Sequence, residues 1–124
     1  LLPGGGCAYL HCIQVAQAQA AAAGSDEALG VQALAGALQA PFERILRNGG
    51  VEAPALFAQD ILDRPPGYFY DVIAGQVGLA RQAGVLDSTL VLRAALETAV
   101  SGALMALSID TLVIKRKPKV SYEP

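Results

Sequence analysis

One long apolar segment constrains the fold more than any other feature of this sequence. Residues 88–107, "STLVLRAALETAVSGALMAL", form the longest predicted helix. Its polar residues Arg93, Glu97 and Ser101 recur every four positions and share one narrow stripe. Nearly all the rest of its circumference is apolar, which is typical of a helix that other segments surround on most sides.

The remaining residues do not supply enough apolar faces to cover this helix. Hydrophobic residues make up 53% of the 124 and charged residues 16%, so a lone globule would expose much apolar surface. Gly, Pro and charges interrupt the apolar residues, and no run approaches the roughly 20 that a bilayer requires, so we expect no membrane span. The opening "LLPGGG" has neither a starting Met nor a signal-peptide pattern, so we expect a fragment or a processed product of something longer.

The charge distribution gives no indication of a nucleic-acid partner. The formal net charge is −2, and basic residues are scattered until the last ten positions. The segment "KRKPK" could bind nucleic acid or an acidic membrane, but a solvated exit from the domain is the preferred interpretation. We expect residues 118–124 to be a flexible charged tail.

Three helical segments are predicted in the first half of the chain. The first covers residues 7–23 and ends at Gly24. The second covers residues 25–48, with Ser25 as its N-cap and Pro41 as a point where it bends or splits. The third follows Pro54 and covers residues 55–62. The second segment carries one apolar stripe, formed by Val31, Leu34, Leu38, Phe42 and Ile45.

The region after "DRPPG" predicts a small β-hairpin. Tyr68, Phe69 and Tyr70 favour a strand, and Gly75 is the expected return turn. Residues 76–83 are predicted as a short helix that Gly84 closes. Near the end, "IDTLVI" is β-prone and apolar on both faces, so it requires pairing by another segment. The predicted fold class is therefore mainly α, with a small hairpin and a C-terminal strand.

The two cysteines favour a structural interpretation. Cys7 and Cys12 are five positions apart in one predicted helix, point to different sides, and are poorly placed for a disulfide. Cys7 and His11 could share a face and hold a metal, but two ligands without a second cluster make a poor site. Small core residues beside a half-buried histidine are the preferred interpretation, and no metal site is expected.

Five stretches occur in an order that matches one known family. They are "PGGGCAYLHCI", "SDEALGVQALAGALQAPFERILRNGG", "GYFYDVIAG", "AGVLDSTLVLRAALETAVSGA" and "IDTLVIKRKPK". Together they resemble the C-terminal end of the group I chaperonins, the GroEL-type folding machines of the chaperonin-60 family. The Cys-Ala pair and the second Cys are most similar to mitochondrial members, which implies the mitochondrial matrix, with the plastid stroma or bacterial cytoplasm as alternatives.

This resemblance implies a fold, a cofactor and partners. Residues 1–117 would be the C-terminal half of the equatorial domain, a helical bundle that binds ATP and carries contacts within and between rings. The other half would come from the N-terminal part of the same chain, and the last strand would pair with a neighbouring subunit of a homo- or hetero-oligomeric ring. Unfolded protein clients would be bound by domains outside this segment.

The resemblance also implies a nucleotide pocket. Gly4 and Gly5 would lie against the nucleotide, since a residue without Cβ lets the backbone approach a ligand closely; a flexible entry to a helix is the alternative. A second group would contact the base and ribose. It consists of the hairpin residues Tyr70, Asp71, Val72 and Ile73, together with Leu86 and Asp87. The hairpin residues would pack on adenine, Leu86 would add an apolar wall, and Asp87 would accept hydrogen bonds from the ribose hydroxyls. Asp87 also sits where an N-cap is wanted for the helix at Ser88.

Several departures from the family pattern bear on this pocket. Phe69 stands where the family usually has Gly and could crowd the purine or need a different backbone angle. Val72 and Ile73 are larger than the usual Ala. The phosphate-binding, Mg²⁺-binding and water-activating residues of the family would precede this chain, so the segment would not hydrolyse ATP by itself. The alternative is a divergent, chaperonin-derived structural component of a larger assembly that has lost ATPase activity.

Overall fold

The computed structural model describes residues 1–111 and Val113. It divides the chain into two compact units, Leu1–Thr89 and Leu90–Pro124. The first unit holds four helices in a row, a hairpin, a short helix and a small two-stranded ladder. In chain order its elements are β1 (Leu2–Pro3), α1 (Cys7–Ala22), α2 (Ser25–Ala37), α3 (Ala40–Asn48), α4 (Pro54–Leu62), β2 (Tyr68–Asp71), β3 (Gln76–Leu79), α5 (Ala80–Ala83) and β4 (Leu86–Asp87).

The first two helices follow the sequence pattern closely. Helix α1 is rich in Ala and Gln, ends within one residue of the predicted position, and packs along α2. The predicted N-cap was wrong by one residue, because Gly24 occupies the cap and Ser25 is already helical. Asp26 and Glu27 lie in the first turn of α2 as predicted, where acidic side chains favour the positive end of the helix dipole.

Pro41 splits the second predicted segment into α2 and α3. It occupies the first turn of α3, where its missing N–H costs no helical hydrogen bond, whereas a continuous helix would lose one there. The predicted apolar stripe is right for Leu38 and Phe42, which are buried, and wrong for Ile45, which is exposed. Leu46 is buried in its place, because the break at Pro41 changes which positions of α3 face inward.

The core of the first unit lies where α1, α3 and α4 pack on one another. Helix α4 begins at Pro54, as predicted, and buries Ala58 and Ile61 on one side. The largest side chains with no significant exposure come from all three helices: Leu10 and Cys7 from α1, Phe42 and Leu46 from α3, and Ile61 from α4. The N-terminal end of α1 is therefore fixed inside the unit.

The hairpin is longer than predicted. Strand β2 pairs antiparallel with β3 in the register Tyr68↔Leu79, Phe69↔Gly78, Tyr70↔Val77 and Asp71↔Gln76. Gly75 is left-handed at φ 67° and makes the return turn, as predicted. The predicted helix over residues 76–83 was wrong in its first half, since only Ala80–Ala83 is helical, and Gly84 closes it at φ 72°. Pairing with β2 outweighs the weak local helix preference of "QVGLARQA".

The second unit contains nearly all of α6 (Thr89–Leu107), the long predicted helix. None of its residues is buried, and it is long and apolar enough to span a membrane by length and composition. The expectation that no apolar segment approaches that length was therefore wrong. Core helices of soluble proteins pass the same test, so the finding establishes no span. In the segment "IDTLVI", which was predicted to be a strand, residues 109–111 and Val113 do not form one. The other residues of this segment and the predicted tail at 118–124 lie outside the described residues.

Candidate functional site

A three-residue glycine turn joins β1 to α1 and is the centre of the candidate site. We call Gly4, Gly5 and Gly6 the glycine turn. The N–H of Gly4 donates to the carbonyl oxygen of Val85 at 2.9 Å. Just before it, β1 pairs antiparallel with β4, with Leu2 opposite Asp87 and Pro3 opposite Leu86. The ladder therefore brings the predicted residues Gly4, Leu86 and Asp87 together.

Each glycine of the turn has a different neighbour. A Cβ on Gly4 would lie 2.9 Å from Cγ1 of Val85, and one on Gly6 would lie 2.7 Å from the backbone nitrogen of Phe42. A Cβ on Gly5 would have, among the described residues that are not its chain neighbours, only Phe69 within 4 Å, with Cδ2 at 3.8 Å. Gly5 and Gly6 are also left-handed, at φ 67° and 79°, a region that favours glycine. "PGGG" is thus an ordered turn, and the sequence interpretation missed Gly6.

Asp71 holds the hairpin turn. Its Oδ1 accepts the N–H of Ile73 at 2.9 Å and that of Ala74 at 3.0 Å. Its carbonyl oxygen accepts the N–H of Gly75 at 2.8 Å. An aspartate that bonds the backbone two and three residues on is a common turn-forming device. The carboxylate of Asp71 therefore orders the segment that was predicted to contact adenine.

The other hairpin residues face different surroundings. The ring of Tyr70 packs on Phe57 of α4, with centroids 4.4 Å apart. Val72 is half-buried against Gly49 at the end of α3, so closely that a Cβ on Gly49 would overlap its Cγ1. Ile73 is fully exposed. Tyr70 and Val72 thus fasten the hairpin to the helices, while Ile73 presents an apolar surface to solvent.

Phe69 needs no special backbone angle. No non-glycine residue in the described part of the chain has a positive φ, so the backbone of Phe69 lies in a region open to any side chain, and the expected difference in backbone angle from the family's usual glycine stays a prediction. The side chain is 4% exposed and lies against two glycines, Gly5 and Gly78. Its ring belongs to the core behind the glycine turn.

Cys7 lies where three predicted site segments meet. Its thiol is buried and donates a weak hydrogen bond to the carbonyl oxygen of Gly5 at 4.0 Å. Burial raises the pKa of the Cys7 thiol to about 11, a backbone hydrogen bond from Tyr70 lowers this pKa, and the Asp87 carboxylate raises it. The glycine turn, the hairpin and Asp87 therefore surround one neutral thiol.

The remaining sulfur and nitrogen ligands do not converge. Cys12 is exposed, so the interpretation of both cysteines as core residues was wrong for Cys12, and both thiols are free. His11 is half-buried, and burial lowers its pKa, which favours the neutral ring. In the part of the chain that the structure describes, no three metal-binding side chains come together.

Chemically, the groups at the glycine turn suit binding. The glycine turn offers backbone atoms without obstructing Cβ atoms, Asp87 offers a carboxylate that can accept hydrogen bonds from hydroxyl groups, and Leu86 offers exposed apolar surface. Ile73 offers a separate exposed apolar surface on the hairpin. Burial raises the pKa of the Cys7 thiol to about 11 and so disfavours the reactive thiolate further.

The mainly helical architecture, with a small hairpin beside a glycine turn, is that of a chaperonin equatorial domain. The model of the TCP-1/cpn60 chaperonin family matches residues 1–117. The chain belongs to this chaperonin family, whose members are protein-folding chaperones. The finer assignment, to a mitochondrial-like member of group I, stays a prediction.

The β1–β4 ladder was the main site feature that sequence interpretation missed. Each strand has two residues, too few for an alternating pattern, and the two segments are more than 80 positions apart. The only local signal was "PGGG", which marks a close backbone approach without naming the neighbour.

Proposed function

We propose that this chain is the C-terminal half of the equatorial domain, residues 1–117, in a subunit of an ATP-dependent ring chaperonin. The family match supports the chaperonin class. The observation that carries the nucleotide site is the β1–β4 ladder, which pairs Leu2 with Asp87 and bonds Gly4 to Val85, so that one ladder joins the glycine turn to the strand that carries the Asp87 carboxylate. A ribose and its phosphates need those two kinds of group at neighbouring positions.

In this proposal Gly4 and Gly5 lie against the nucleotide, and Asp87 accepts hydrogen bonds from the ribose hydroxyls. Leu86 and Ile73 supply apolar walls for adenine. Tyr70, Asp71 and Val72 act mainly by holding the hairpin, because their side chains pack on Phe57, bond the turn and meet Gly49 respectively.

Hydrolysis and assembly depend on residues outside this chain. Mg²⁺ and the attacking water would be held by another segment of the protein, so residues 1–124 contribute binding without cleavage. The apolar, unburied surface of α6 would be covered by the remainder of the protein or by ring neighbours. The mitochondrial matrix is the proposed location.

The test is ATP affinity of the intact protein and of its Asp87→Asn variant. Loss of a hydrogen bond to a charged group costs about 1.5–3 kcal/mol, so affinity should fall roughly 10- to 150-fold. Asp26→Asn, an exposed change in α2, is the matched control and should bind normally. Circular dichroism would establish that both variants are folded.

Two outcomes would contradict the proposal. Equal ATP affinity in Asp87→Asn and the wild type would remove Asp87 from the site. Failure of the intact wild-type protein to bind ATP would refute the ATP-dependent function and leave the structural component as the better interpretation.

A further inference from the structure

Phe69 occupies a position between the hairpin and the glycine turn. Its Cε1 lies 3.6 Å from the Cβ position of Gly78, which is its cross-strand partner, and its Cδ2 lies 3.8 Å from the Cβ position of Gly5. The side chain is 4% exposed. The ring therefore fills the space that two absent side chains leave open.

The contact with Gly78 fixes the ring. A glycine in a strand has no side chain to pack, and an aromatic residue directly opposite can cover it. Phe69 makes this cross-strand contact while its own backbone is paired in β2. Because the ring is enclosed and its strand is paired, its position is determined before any ligand binds.

Gly5 depends on this ring more than its neighbours do. Gly4 is hydrogen-bonded to Val85, and Gly6 lies against the backbone of Phe42. Near the Cβ position of Gly5, by contrast, Phe69 is the only residue of the described chain within 4 Å apart from the two chain neighbours of Gly5, and the Gly5 carbonyl oxygen accepts the weak 4.0 Å hydrogen bond of the Cys7 thiol. Gly5 is also left-handed, at φ 67°, so its own backbone has more freedom than that of other residue types.

We propose that Phe69 is a positioning residue of the candidate site and that it sets where Gly5 stands relative to the hairpin. The nucleotide in this inference rests on the proposed function, whereas the effect of Phe69 on the position of Gly5 rests on the packing alone. Phe69 acts through Gly5 and does not touch the nucleotide. The large residue at this position thus supports the pocket from behind instead of crowding the purine.

The test compares Phe69→Ala and Phe69→Leu with Ile61→Ala in the intact protein. Ile61 is fully buried in α4, so its truncation creates a comparable core defect and serves as the matched control. Two quantities are measured: amide hydrogen exchange of residues 4–7 without nucleotide, and ATP affinity. If Phe69→Ala does not fold, Phe69→Val, which also removes the ring and suits a strand, carries the comparison, with Phe69→Leu as the conservative variant.

We expect Phe69→Ala to raise amide exchange of residues 4–7 and to weaken ATP binding roughly tenfold, because small misplacements of binding groups cost this much or more. Phe69→Leu should keep most of the exchange protection of residues 4–7 and most of the ATP affinity. In turnover assays the KM should rise while kcat changes little, since hydrolysis depends on groups elsewhere. Ile61→Ala should leave both readouts near wild type.

The outcomes separate this inference from the proposed function. Normal ATP affinity and unchanged exchange in Phe69→Ala, in a protein whose wild type binds ATP, would overturn the role of Phe69 alone. Equal effects of Ile61→Ala and Phe69→Ala would overturn it too, because a general core defect would explain both. A wild type that binds no ATP would refute the proposed function, and exchange would then decide whether Phe69 positions the turn.

Discussion

Gly49 is the point where the hairpin fits most tightly on the helices, and alanine there should destabilise the protein. The backbone itself permits alanine, since Gly49 has φ −84° and ψ 5°. At such a position Gly→Ala usually stabilises by about 0.4–1 kcal/mol, because it restricts the unfolded chain. Here the new Cβ would overlap Cγ1 of Val72 and approach its Cβ to 3.2 Å.

The steric cost should exceed the entropic gain. Inserting a methyl group into a filled space costs about 1–3 kcal/mol, and Val72 cannot turn away freely because a β-branched side chain is stiff at χ1. The expected net loss for Gly49→Ala is therefore about 1–2 kcal/mol in the free energy of unfolding. Val72→Ala should remove the overlap, so the double variant should be more stable than the sum of the single effects by about 1–2 kcal/mol.

Urea unfolding of the intact protein measures this cycle. Two glycine variants serve as controls, because neither glycine has a non-adjacent neighbour from residues 1–111 within 4 Å of its Cβ position. Gly36→Ala, inside α2, should stabilise by roughly 0.5–1 kcal/mol. Gly50→Ala, at φ 85°, should lower the free energy of unfolding by about 1–2 kcal/mol, whether residue 72 is Val or Ala. Strictly additive effects of Gly49→Ala and Val72→Ala would refute the packing of the hairpin on α3.

Three further predictions concern the glycine turn and its thiol. Gly6→Ala should lower the free energy of unfolding by roughly 2–5 kcal/mol, because it adds a clash with the backbone of Phe42 to the strain of a left-handed residue. Gly5→Ala has the left-handed strain alone and should cost about 1–2 kcal/mol. Equal costs would contradict the contact between Gly6 and Phe42. Iodoacetamide at pH 8 should modify Cys12 and spare Cys7 in the native protein, as peptide mass spectrometry would show, and equal rates would contradict the burial of Cys7. The pKa of Cys7 is raised from 9.0 to about 11, so its contribution to stability is complete below pH 9 and lost as pH rises through 11. Relative to Cys7→Ala, the wild type should lose roughly 2–3 kcal/mol over that interval, and a pH-independent difference would contradict the shift.

Long segments with a regular local pattern were predictable from the sequence. Helices α1, α4 and α6 each have good helix formers and clear ends, such as Gly24 and Pro54, so their bounds agree with the structure to within one or two residues. The hairpin turn at Gly75 was predictable for the same reason, because glycine marks the left-handed position.

Elements that depend on a distant partner were not predictable. Strand β3 has the composition of a weak helix and becomes a strand because β2 lies beside it. The β1–β4 ladder joins residues from the two ends of the first unit. The burial of Leu46 in place of Ile45 similarly depends on how α3 turns after Pro41, which a continuous helical stripe does not represent.

The two aspartates of the candidate site have different relations to the fold. Asp71 bonds the backbone of its own turn, so its carboxylate already has a structural use, and substitution there should disturb the hairpin whether or not a nucleotide binds. Asp87 lies in the two-residue ladder beside the glycine turn and close enough to raise the pKa of the Cys7 thiol. Because the Cys7 thiol stays neutral, it adds no second negative charge near that of the Asp87 carboxylate. Hydroxyl donors of a ribose would stabilise that charge, which makes Asp87, and not Asp71, the residue on which ligand recognition should depend most.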